Sequence, residues 1–130
     1  MLLFGHRFIA SEKFYHIASM EAVDHTPPNS TVFLDFCEKD LDVMEELRVN
    51  SVNFALGVKN ITEAIYAESL DAKYIVLDEE LAEDVQKIAE NYLFDAKILV
   101  HIEDEEQIEE YALKGVDGVI FTEAIIKIHS

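Results

Sequence analysis

The chain has 130 residues, half of them hydrophobic, which is enough apolar material for one domain with a real core. Its formal charge of −17 repels phosphate backbones and anionic membrane surfaces, so neither nucleic acid nor membrane is an expected partner. One cysteine, Cys37, excludes an internal disulfide and any multi-cysteine zinc site, and no metal site or cofactor is expected.

The opening "MLLFGHRFIASEK" lacks the apolar run and the flanks of a signal peptide. No uncharged apolar stretch reaches the ~18 residues of a membrane span. A cytoplasmic protein is therefore expected. "LLFGHRFIA" and "KFYHIAS" are apolar-aromatic runs that pair as a hairpin, or the second starts a helix. "DHTPPNS" (24–30) is a turn-rich link in which Pro27 and Pro28 stop regular structure. Residues 1–30 are read as an appendage of the same domain, and residues 31–130 as its βα core.

"TVFLDF" (31–36) is a β-branched and aromatic strand. In the next segment Leu41, Val43, Met44 and Leu47 fall near helical spacing, with acids opposite. "VNFALGV" is a buried strand. The helix after it starts at Asn60, an N-cap, with Glu63 three residues on and Ile61, Ala64, Ile65 and Leu70 as its apolar stripe. "AKYIVLD" (72–78) is the next strand, and the helix following it carries Leu81, Val85, Ile88, Ala89 and Tyr92. "AKILVHI" (96–102) is another strand. The helix after it turns Ile108, Ala112 and Leu113 inward and ends at Gly115, a C-cap glycine. "GVIF" (118–121) is the last core strand, and "TEAIIKIHS" a short terminal helix.

Almost the same phrase occurs twice, "DAKYIVLDEE" from 71 and "DAKILVHIEDEE" from 95. Each is one turn of a single building rule: a buried strand, then acids that start a helix. Such alternation predicts an α/β fold of repeated βα units on a parallel sheet of about five strands. The sheet is either open and flavodoxin-like, with helices on both faces, or curved like a half-barrel. The open sheet needs less to complete it. A half-barrel must bury its concave side against the N-terminal segment or a second subunit.

Residues 51–121 carry a resemblance. "NFALGVKNITEAIYAESLDAKYIVLDEEL" resembles the middle of the keto-deoxy-phosphogluconate aldolase family of (βα)-barrels. "HIEDEEQIEEYALKGVDGVIF" is similar to that family and to the C-terminal part of glycerophosphodiester phosphodiesterases. Catalytic residues are not retained. The position of the aldolase Schiff-base lysine falls on Ile120, and the phosphodiesterase His-Arg-Gly segment becomes His6, Arg7 and Phe8. The resemblance therefore implies barrel-like architecture rather than either activity, in a chain about half the ~250 residues of a closed eight-stranded barrel.

In either architecture ligands sit beyond the carboxyl ends of the strands. Asp35, Lys59, His101 and Glu103 are the ligand-binding candidates there. Lys59, just before the Asn60 cap, suits a small anion or phosphorylated metabolite. His101 and Glu103 alternate along one strand, so both can point the same way. The alternative for Glu103 or Asp104 is capping the next helix, and the same reading covers Asp78, Glu79 and Glu80. Cys37 reads as buried or inert. His6, Arg7, His16 and His25 crowd the N-terminal segment and can meet the ligand face, with His6 and Arg7 the candidates there. With Phe8, Phe14 and Tyr15 the same segment reads equally well as a contact between copies, so a homo-oligomer is expected. No catalytic set is recognisable. A non-enzymatic binding or self-associating module is the leading expectation, and a barrel-derived lyase or phosphate-ester enzyme the alternative.

Overall fold

The computed structural model describes residues 1–128. Eight strands, β1 (Leu2–Phe4), β2 (Phe14–His16), β3 (Thr31–Asp35), β4 (Phe54–Gly57), β5 (Tyr74–Leu77), β6 (Lys97–Ile102), β7 (Gly118–Phe121) and β8 (Ile125–Lys127), form one all-parallel sheet. Their order is β1-β7-β6-β5-β4-β3-β2-β8. Helices α1 (Leu41–Val49), α2 (Ile61–Ser69), α3 (Ala82–Asn91) and α4 (Gln107–Lys114) join β3 through β7.

This order forces the sheet to curl. β7 and β8 stand six places apart in it, which is ~29 Å across a flat sheet at ~4.8 Å per strand. The four residue steps from Phe121 to Ile125 reach at most ~14 Å. The strands must therefore wrap, and the covalent path through the turn Thr122–Ala124 ties the two ends together. Ring contacts show the result: Phe4 on β1 and Phe14 on β2 stack edge-on at 5.1 Å, and both meet Tyr74 on β5.

The sheet is thus a curled half-barrel, not an open flavodoxin-like sheet. Side-chain alternation separates two cores. Val32, Leu34, Phe54, Leu56, Ile75, Leu77, Ile98, Val100 and Val119 point outward and pack under the helices. Phe4, Phe14, Phe33, Ala55, Tyr74, Val76, Leu99 and Ile120 point inward and fill the concave side. Because β3 to β7 follow one another in space, every helix falls on the convex face. Strands buried on both sides in this way are apolar throughout, as the sequence shows. Phe4 and Phe14 from the N-terminal segment supply the concave filling that a half-barrel needs.

Several expectations are corrected. Five strands understates the sheet, because β1, β2 and β8 have three residues each and are too short to show a period. The N-terminal runs are not a hairpin, and neither starts a helix. They are parallel strands toward opposite ends of the sheet order. The segment after β7 is one short 3-10 turn, Thr122–Ala124, followed by strand β8, rather than a terminal helix; the last two residues lie outside the described ones. Tyr111 is the buried anchor of α4, whereas Ala112 and Leu113 are exposed, as are Ile65 on α2 and Tyr92 just past α3. Cys37 is exposed rather than buried.

Every helix leaves the same way. Ser51, Asp71, Leu93 and Gly115 have φ between 54° and 77°. The next residue's amide returns to a carbonyl five residues back, as from Val52 to Leu47, Ala72 to Ala67, Phe94 to Ala89 and Val116 to Tyr111. This is the Schellman pattern that satisfies a helix's orphan carbonyls. Three of the four positions use a residue other than glycine, so the rule is visible from sequence at Gly115 alone. The doubled Asp-Ala-Lys phrase begins at the exit residue itself in its first copy, Asp71, and two residues after the exit, Leu93, in its second, and both copies lead into the next strand. At its second copy the Glu68 carboxylate accepts the amides of Asp95 and Ala96 at 3.0 and 2.9 Å.

Candidate functional site

The carboxyl ends of the strands open into one pocket of about 360 Å³. Its floor is carbon: Phe33 from β3, Val76 from β5 and Ile125 from β8. Gly57 ends β4 and shapes that floor, because a Cβ there would stand 2.5 Å from Asp35 Oδ1 and 3.2 Å from Phe33 Cζ. Only a residue without a side chain lets both lean across it.

The polar rim follows strand order. Lys59, Asp35, His16 and Lys127 come from the ends of β4, β3, β2 and β8 and occupy one side. Asp78, His101 and Thr122 occupy the other. His16 Nε2 lies 3.8 Å from Asp35 Oδ2, and its ring packs edge-on against Phe33 at 5.0 Å. His101 Nε2 is 2.9 Å from Thr122 Oγ1. Neither lysine makes an ion pair among the described residues. Two lysines thus balance two aspartates, with two histidines beside them, in a chain whose net charge is −17. The mouth is far less negative than the surface around it.

Several amides around this mouth already have side-chain acceptors. Asn60 caps α2 as its sequence promised, accepting the Glu63 amide at 2.8 Å. The Glu63 carboxylate reaches back to the Lys59 amide at 3.0 Å. At α4 the expected caps, Glu103 and Asp104, contribute no side-chain cap. Their amides instead donate to Gln107 Oε1 at 3.2 and 3.1 Å. Asp78 also gives no side-chain cap at its helix start.

Of the residues singled out from sequence, Asp35, Lys59 and His101 line the pocket. Glu103 lies in an adjoining acidic cleft with Asp78, Glu79, Glu80 and Asp104, which His101 also touches. The alternation that pairs His101 with Glu103 ends too early, since β6 stops at Ile102. His6 and Arg7 stand apart from the pocket and hold Glu105. His6 Nε2 lies 3.1 Å from its carboxylate, and Arg7 Nε and Nη2 reach it at 2.6 and 3.3 Å. The Phe8 amide donates to His6 Nδ1 at 3.1 Å, which leaves Nε2 as the protonated, donating nitrogen. Arg7's hydrogen bond holds the Glu105 carboxyl below its usual range, and Glu105 in turn raises Arg7. His25 is exposed at the end of a short turn and plays no part in the pocket.

Of the four N-terminal residues expected to be able to meet the ligand face, His16 is the one that lines this pocket, and Lys127 is not singled out from sequence. Both lie on three-residue strands, and Lys127 reads as helical in isolation. The only signal was the density of histidines near the N-terminus.

The opposite end of the half-barrel is plugged. Glu12 accepts from Tyr74 Oη at 3.0 Å and from the buried Thr31 hydroxyl. Burial first, then the Glu12 charge and hydrogen bond, push the Tyr74 phenol well above its usual range.

No helix among the described residues is long and apolar enough to cross a membrane. No protein-family model matches the sequence, and no match is found among curated proteins.

Proposed function

We propose that this chain is a binding module for a small anion, held at the carboxyl ends of the strands. One observation supports it most: Lys59, His16, Lys127 and His101, from four different strands, face one pocket in an otherwise strongly acidic chain. Convergence of side chains distant in sequence is what a site needs, and a few polar and charged groups over an apolar floor are the usual form of a small-molecule pocket. Lys59 and Lys127 offset Asp35 and Asp78, so the mouth carries no formal excess of negative charge against an approaching anion, unlike the chain as a whole.

The test is a titration with a panel of small anions, phosphate, phosphorylated metabolites and carboxylates, followed by amide chemical shifts. Shifts confined to residues 57–59, His16, His101 and Lys127, and lost in Lys59→Ala/Lys127→Ala, are expected. Shifts scattered over the surface, or none, sink the proposal. A Lys39→Ala/Lys87→Ala variant controls for net charge, since both lysines are exposed and lie outside the pocket.

The His16–Asp35 pair favours a second reading, an enzyme of barrel descent acting as a lyase or on phosphate esters. A carboxylate hydrogen-bonded to an imidazole orients a general base, and here a small side-chain rotation has to close the 3.8 Å gap first. Turnover that follows a pH profile set by His16, and disappears in His16→Gln, distinguishes this reading from simple binding.

A further inference from the structure

We infer that the anion this pocket takes is a compact organic carboxylate with an apolar body, such as a branched-alkyl or aromatic acid, rather than a phosphate. The inference rests on the anion-binding reading above and narrows it. Three observations carry it.

The first is the state of the backbone amides. Phosphate sites in βα folds are built largely from free amides at helix starts and in glycine-rich turns. Here the Lys59 and Glu63 amides already donate to Glu63 and Asn60 side chains, and those of Glu103 and Asp104 to Gln107. The Val58 amide donates to the Val76 carbonyl at 2.9 Å. A carboxylate beside Lys59, on Glu63, also opposes a dianion. Within the pocket lining the Val58 and Lys59 amides are thus taken, and Asn60, Ile61 and Thr62 at the start of α2 are not part of that lining, so the lining offers an anion chiefly its side-chain cations, Lys59 and Lys127, on the flank that holds the His16–Asp35 pair. Point charges of this kind suit a monoanion.

The second is the floor. Phe33, Val76 and Ile125 present carbon directly below the rim. A phosphate or sugar phosphate seated there desolvates its polar atoms against groups that cannot hydrogen-bond. An alkyl or aromatic body gains from the same contact. The third is size. About 360 Å³ lies at the small end of ligand pockets, which limits the body to one ring or a short branched chain. His101 and Thr122 across the mouth are placed to meet one further polar group, a carbonyl or hydroxyl.

Isothermal titration of the full chain with 3-methylbutanoate, phenylacetate, inorganic phosphate and glycerol 3-phosphate tests this. The carboxylates are expected to bind at least about tenfold more tightly than either phosphate, a difference of about 1.4 kcal/mol. Ile125→Asn is expected to erase that preference. If Ile125→Asn does not fold, Val76→Thr, close in shape, is expected to reduce it. Phosphates binding as tightly as the carboxylates overturn the inference and leave the anion reading standing. A preference that survives on a folded Ile125→Asn or Val76→Thr chain also overturns it, because the floor is then not its source. If no compound binds, both readings fall.

Discussion

Adding one methyl group at Gly118 should test whether the sheet curls as described. Gly118 faces the concave side of β7, between Leu2 on β1 and Leu99 on β6. A Cβ there would lie 2.6 Å from Leu2 Cβ, 2.8 Å from the Leu2 carbonyl oxygen and 2.9 Å from Leu99 Cδ2. Leu99 can rotate its tip away, but the Leu2 contacts involve backbone and Cβ. Either β7 distorts or β1 leaves the edge. Overpacking of this kind costs about 1–3 kcal/mol, or a fall in Tm of about 4–12 °C at this size. If β1 detaches, the buried parts of Leu3 and Phe4 are lost as well, at about 1.5–3 kcal/mol for a fully buried side chain. The control is Gly115→Ala, whose Cβ meets nothing within 4 Å but must adopt φ +77°. That strain alone costs about 1 kcal/mol. Denaturant unfolding gives both values, and hydrogen exchange reports whether the amides of residues 2–4 lose protection selectively in Gly118→Ala. If Gly118→Ala is no more destabilising than Gly115→Ala, the β1–β7 register and the curl built on it are wrong.

Two further outcomes follow from the local structure. Leu93 holds φ 54° while 83 % exposed, so Leu93→Gly removes left-handed strain of about 1–2 kcal/mol against a glycine entropy cost of about 0.5–1 kcal/mol. A net gain of about 0.5 kcal/mol in urea unfolding is expected. A loss contradicts the shared helix exit. Alkaline stability depends on two phenols: Tyr74 is raised by burial and then by Glu12, and Tyr111 is pushed up to about 12 by burial and then by Glu79. A folded pKa above the unfolded value gives stability that is full below ~10 and lost as pH rises through the folded values. Tyrosinate absorbance should therefore show delayed ionisation of these two groups, coupled to loss of structure. Ionisation of all five tyrosines together at the ordinary value, with the fold intact, contradicts the described plug.

Legibility ran unevenly along the chain. The βα units from β3 to β7 were readable because each carries a buried run followed by a helical period, and Asn60 and Gly115 marked their helix's ends as read. Asp35, Lys59 and His101 could be nominated as strand-end residues without knowing which strands were neighbours. His101 and Glu103 could not be separated, since the end of β6 at Ile102 is set by where its ladder to β7 stops. Arg7 and Glu105 are 98 residues apart, and nothing local pairs them.

The sequence alone determined the repeating unit, because strand and helix periods are local properties of neighbouring residues. It also determined the acidic net charge and that Asp35, Lys59 and His101 stand at strand ends. Only the tertiary structure decided that the sheet is curled, that three-residue strands from both chain ends complete it, and that His16 and Lys127 join Asp35, Lys59 and His101. The reason is physical. A three-residue strand has no period to read, and its position is set by the partners it pairs with. Whether a sheet of βα units stays open or curls depends on the order of its strands and on what fills its concave side, here Phe4 and Phe14 meeting Tyr74.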